Sequence, residues 1–122
     1  MKKKRQIFEL FANTVIQKLL KHLLITEYTV TLRYEKKLKS VMEINVDHEY
    51  LEAEIAYGKS TVNRFMTEPD YVEETIFHEV MHIITTRLTD ERKGLSKKKF
   101  LKVEEQTNEH LAKAFYKLVR RL

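Results

Sequence analysis

The stretch "MTEPDYVEETIFHEVMHIITTRL" (66–88) organises the reading of this chain. Val72, Ile76, Phe77, Val80, Ile83 and Ile84 recur at a spacing that gathers them on one wide side of a helix. Thr67 is a good N-cap residue, and Asp70 three positions on completes a capping-box-like pair. Pro69 falls in the first turn, where its missing N–H costs little. Acidic residues fill the first half and Arg87 stands in the last turn, as the helix macrodipole favours. One long amphipathic helix over 66–88 is expected.

Working outward, residues 6–24 place Ile7, Leu10, Phe11, Thr14, Val15, Leu19 and Leu23 at helical spacing, which predicts an N-terminal helix. "EYTVTLRY" (27–34) is β-branched and aromatic with alternation, a strand signal. "SVMEINVD" (40–47) alternates Met42, Ile44 and Val46 against polar neighbours, and "YLEAEIAYG" (50–58) alternates again up to Gly58. A short antiparallel sheet of three strands is expected. Beyond "TDERKG", Ser96 caps a last helix over 97–121, with Leu101, Leu111, Ala112, Phe115, Leu118 and Val119 on one face. The expected fold class is α+β, a single domain spanning 1–122: N-terminal helix, short sheet, helix, helix.

Composition narrows the function classes. Apolar residues make up 43% and charged residues 34% of the 122 positions, which is the balance of a globular protein. With no cysteine, disulfides and thiolate metal sites are excluded, so a transition metal must be held by His, Asp or Glu. "MKKKRQIFELF" opens like a signal peptide but is interrupted by Gln6, Glu9, Asn13, Gln17 and Lys18, and no apolar run could span a bilayer. A cytoplasmic protein without a membrane partner is expected. The net charge of +5 comes from lysine clusters at 2–5, 36–37 and 92–99. They lie in three separate places without interleaved aromatics, so solvated termini and loops are favoured over a nucleic-acid surface.

Within the helix stands "HEVMH". On a helical wheel at about 100° per residue, His82 falls roughly 40° from His78, one turn along the same face, so both imidazoles reach one metal ion. Tyr71, Thr75 and Thr86 share that polar sector, opposite the apolar stripe. Glu79 is rotated about 100° from His78, where a carboxylate holds a water rather than the metal. Zinc with three protein ligands and one water brings that water's pKa near neutral. A carboxylate placed like Glu79 can take its proton as general base and return it to the leaving amine. The third ligand must come from "KVEEQTNEHLAKAF": Glu104, Glu105, Glu109 or His110. A small residue two turns past the ligand lets the helices approach. Glu105 has Ala112 there and Glu104 has Leu111, whereas Glu104 lies nearer the centre of the apolar stripe. Glu109, one turn past Glu105, can accept from the free N–H of a ligating histidine.

HEVMH on a helix, followed after some twenty residues by a glutamate on a second helix, resembles the gluzincin metallopeptidases. The small size, the element order and "EEQTNEHLA" look most like the minigluzincins, compact forms that include phage and prophage proteins. The match covers Tyr71 to about Phe115; the first seventy residues match only in layout. The resemblance implies a zincin-like endopeptidase fold with one zinc ion per chain. It implies His78, His82 and Glu105 as ligands, Glu79 as general base, and a peptide or protein substrate. Larger gluzincins supply an oxyanion-stabilising histidine or tyrosine from a further domain; Tyr71, Tyr50 or Tyr57 would have to serve here. Some minigluzincins are zymogens, so the resemblance also admits a latent enzyme. The competing reading is a catalytically silent zincin that binds nucleic acid or a protein through its basic surface. Intact Glu79 favours the enzyme, because holding zinc does not require it.

Overall fold

A computed structural model describes residues 2–89 and 97–120. Its elements are α1 (Lys2–His22), β1 (Thr29–Tyr34), β2 (Met42–Asp47), β3 (Glu52–Tyr57), α2 (Lys59–Thr67), α3 (Pro69–Thr89) and α4 (Lys97–Arg120). The architecture is α+β, four helices and a small three-stranded sheet. Ser96 and the loop before it lie outside the described residues, as do the side chains of the basic cluster at 92–99.

α1 forms where periodicity places it, with Val15 and Leu19 of the expected stripe buried and Phe11 and Leu23 packed against the core, but the buried face is rotated away from Ile7 and Leu10. Phe8, Ala12, Val15, Ile16, Leu19 and Leu20 face the core, while Ile7 is 45% and Leu10 72% exposed. Aromatic packing sets that rotation: the Phe8 ring meets Tyr57 at 4.8 Å and Phe65 at 5.6 Å. The helix ends on Leu24 in the left-handed region (φ 58°). The Ile25 N–H reaches back to the Leu20 carbonyl at 2.9 Å, which satisfies one of the last turn's open acceptors.

The strand order is β1-β3-β2, with β2 antiparallel and β1 parallel to β3. This corrects the expectation of an antiparallel sheet. Alternation reports which face of a strand is wet, not which strand lies beside it. β2 and β3 form a hairpin whose turn is held by Asp47 Oδ1, which accepts from the backbone N–H groups of Glu49 and Tyr50. β3 occupies the centre with Ala53, Ile55, Ala56 and Tyr57 buried, leaving β1 and β2 as edges.

The helix expected over 66–88 is in fact the end of one helix and the whole of another. α2 closes at Thr67, whose hydroxyl bonds back to the Arg64 carbonyl at 3.3 Å instead of capping forward. The break follows from Glu68–Pro69, since a residue before proline is disfavoured in the α region; Glu68 sits at φ −135°, ψ 66°. Pro69 then opens α3, the position it tolerates best. α2 starts after Gly58, where a Cβ would lie 3.2 Å from the Glu35 carbonyl oxygen. Buried Thr61 ties that start down: its hydroxyl accepts from the Gly58 N–H and donates to the Val41 carbonyl.

α3 lies at the middle of the molecule. Val72, Ile76, Phe77, Val80 and Ile83 are at most 2% exposed and pack into the core shared by α1 and the sheet. β2 runs along one flank of α3 and α4 along another. Among the described residues, no helix is long and apolar enough to cross a membrane.

Candidate metal centre

The polar side of α3 carries His78 and His82 one turn apart, their rings 5.1 Å between centroids and nearly perpendicular. Both are largely enclosed, with side chains 24% and 12% exposed. α4 presents Glu105 to them from across the helix interface. One carboxylate oxygen lies 2.6 Å from His82 Nε2 and the other 3.7 Å from His78 Nε2. The three donor atoms lie within 4.8 Å of one another. A tetrahedral zinc with bonds of about 2.0–2.1 Å spaces its donors roughly 3.3 Å apart. The observed separations bracket that value, so side-chain adjustments of about an ångström would close the set. Two imidazoles and one carboxylate are a donor set suited to zinc with an open fourth position.

Electrostatics prepares the same atoms. Burial and the neighbouring His82 hold His78 below the ordinary histidine range, against the pull of Glu105 and Glu109. Its imidazole is therefore neutral near pH 7, the form that ligates. Glu79 stands outside the donor group, in the cleft beside it. Burial, then the charges of Glu105 and Glu43, push its carboxyl up to about 8, while a hydrogen bond from the Ile44 backbone N–H pulls the other way.

The cleft has a volume of about 560 Å³. β2 from Met42 to Val46 forms one wall, Glu79, His82 and Thr86 line it from α3, and Glu105 from α4. Because Ile44 turns its N–H outward to Glu79, Met42 and Val46 share that outward side of an edge strand. A second cavity of about 420 Å³ opens on the side of His78, lined by Tyr71, Glu74, Glu109 and Lys113 among others.

The remaining candidates are distributed unevenly. Glu104 lies on α4 with its side chain outside the described residues. His110 is exposed and is not part of the donor group. Glu109 does not bond to either histidine among the described contacts: it pairs with Lys113 at 3.3 Å and acts on His78 through space. It lines the second cavity together with His78, close enough to favour the charged imidazole. Tyr71 borders the second cavity with the Arg64 guanidinium 3.8 Å over its ring. Tyr50 is 68% exposed in the β2–β3 turn and does not line the cleft. Tyr57 is fully buried and donates to Glu9 at 2.6 Å, which removes it from the cleft.

Two residues enter that the sequence did not single out. His48, just past β2, lines the cleft; its Nδ1 meets the Tyr28 hydroxyl at 2.8 Å and its Nε2 meets Thr86 Oγ1 at 2.9 Å. The Thr86 hydroxyl reaches the His82 carbonyl at 2.5 Å, so the β2–β3 turn is tied to the turn of α3 that carries His82. Nothing in a polar turn marks such a histidine in advance. Asn108, fully buried, donates through Nδ2 to the His78 carbonyl at 2.6 Å. Its signal was readable: a polar residue interrupting the inward line of Glu105, Ala112 and Tyr116. Compared with known proteins, the chain matches no family model, no curated protein and no solved structure.

Proposed function

We propose that this protein is a zinc-dependent peptidase. The observation that carries the reading is a division of labour: His78, His82 and Glu105 converge as a donor set, and Glu79 lines the same cleft as His82 and Glu105 without joining that set. His78, His82 and Glu105 would hold the ion. Zinc in such a site supplies a Lewis acid for the scissile carbonyl and acidifies a water. A bound cation would offset the Glu105 charge that helps hold Glu79 protonated, and the ionised Glu79 would take the proton from the attacking water and deliver it to the departing amine nitrogen as the C–N bond breaks. The outward backbone groups of Met42 and Val46, on either side of the Ile44 N–H that Glu79 engages, accept an extended peptide as an added strand, which lays its backbone across the cleft. A zincin-like fold, in the manner of the minigluzincins, accommodates this arrangement, and the substrate is a peptide or protein segment in extended form.

A purely silent binding module gains no support from Glu79, whose burial is costly and which metal holding does not need. The test combines metal analysis with cleavage of an unstructured protein such as casein. About one zinc per chain is expected, with cleavage by the parent chain. Glu79→Gln should keep the zinc and lose about two to four orders of magnitude of rate. A chain that neither holds nor takes up zinc at neutral pH defeats the reading.

A further inference from the structure

Asn108 is completely buried between α3 and α4, where a carboxamide is tolerated only if its donors and acceptors are matched. Both of its ends are engaged on α3. Nδ2 donates to the His78 carbonyl at 2.6 Å, and Oδ1 accepts from Thr85 Oγ1 at 3.2 Å. One side chain of α4 thus grips α3 at two residues, His78 and Thr85. Asn108 lies three residues after Glu105, on the same inward line as Ala112 and Tyr116, which are 1% and 8% exposed.

The placement of Glu105 depends on how α4 is rotated and slid along α3. The neighbouring apolar contacts, such as the Tyr116 ring edge-on to Phe77 at 5.0 Å, are non-directional and tolerate small slides. The amide contacts do not, because hydrogen bonds weaken steeply as distance and angle depart from their optimum. Turning α4 by one residue, about 100°, would carry Glu104 or Gln106 to the histidines, and would carry Thr107 or Glu109 into the buried amide's place. A buried glutamate or a threonine cannot make both contacts. His78 is common to both interactions: its imidazole faces Glu105 and its carbonyl receives Asn108.

We propose that Asn108 is a positioning residue for the metal centre, setting the register of α4 on α3 that delivers the Glu105 carboxylate to His78 and His82. This rests on the metal-site reading above. Were Asn108 only a core residue, its replacement would lower stability without changing the geometry of a bound ion. The experiment titrates cobalt(II) and zinc(II) into the parent chain, Asn108→Leu, Asn108→Ala and Leu19→Ala, a core variant on α1. Visible cobalt bands report coordination geometry, chelator competition gives the zinc Kd, and urea unfolding of the metal-free chains gives stability. Leu19→Ala should lose stability yet keep the parent's cobalt spectrum. Each folded Asn108 variant should bind zinc about 10- to 100-fold more weakly, with shifted and weakened cobalt bands. An Asn108 variant that folds with the parent's zinc Kd and spectrum overturns the proposal. Should neither fold, the parent chain answers by NMR: the Asn108 side-chain amide protons should shift and exchange more slowly when zinc is added, and an unchanged pair overturns the proposal. A parent chain that binds neither metal overturns this inference together with the metal site, whereas normal binding in the variants overturns this inference alone.

Discussion

Glu79 should make the metal-free protein sensitive to alkali, and Glu79→Gln should remove that sensitivity. In the folded chain its carboxyl is pushed from 4.5 up to about 8, chiefly by burial and then by Glu105 and Glu43. The folded state therefore holds a proton that the unfolded state releases. Stability from this group is fully present below the unfolded value, falls as pH rises from 4.5 towards 8, and is flat above that. At about 1.4 kcal/mol for each pH unit the whole window corresponds to about 5 kcal/mol. Screening of the repulsion from exposed Glu105 and Glu43 brings the expected penalty to about 2–4 kcal/mol. Glutamine keeps the shape and has no charge to desolvate. The assay is urea unfolding of chelator-treated parent and Glu79→Gln chains at pH 5, 7 and 9. The variant should gain on the parent progressively with pH and exceed it by about 2–4 kcal/mol at pH 9. Adding zinc should shrink the difference, because the cation offsets the Glu105 charge. Parallel stability curves from pH 5 to 9 would refute the reasoning, since they would mean that water reaches Glu79 freely.

Three further outcomes are expected. Glu105→Ala, which removes one of three donors, should weaken zinc binding far more than Glu109→Ala, whose carboxylate pairs with Lys113 at 3.3 Å and acts on His78 only through space; chelator competition ranks them, with Glu104→Ala as the comparison. Leu24→Gly should raise stability by about 1 kcal/mol in thermal or urea melts, because Leu24 is 85% exposed and held at φ 58°. DNA binding through the scattered lysines should be weak and vanish near 0.15 M salt, and tight binding there by filter titration would favour a nucleic-acid surface.

What the amino-acid sequence determined by itself was local. Helical periodicity alone puts His78 and His82 on one face of α3, turns Glu79 aside and assigns the apolar stripe to the core, because those relations depend on the pitch of a single helix. Ala112 as the point of close approach for α4 was also legible, and it is 1% exposed. Glu68–Pro69 carried the signal for the break between α2 and α3, but the good cap and periodicity beyond it masked the short helix before it. The rest depended on long-range contacts. How far the buried face of α1 turns towards Phe8, and away from Ile7 and Leu10, was decided by Phe8 meeting Tyr57 and Phe65. The parallel pairing of β1 with β3 was decided by how strands stack around a shared core, to which alternation is blind. Bringing Glu105 within 2.6 Å of His82 Nε2 required two helices separated by a loop to settle in one register, and the buried amide of Asn108 acquires its meaning only there. His48 reached the cleft because a hairpin turn folds over the last part of α3. Sequence spacing specifies directions around one helix axis; distances between helices arise only when side chains from both compete for the same buried volume.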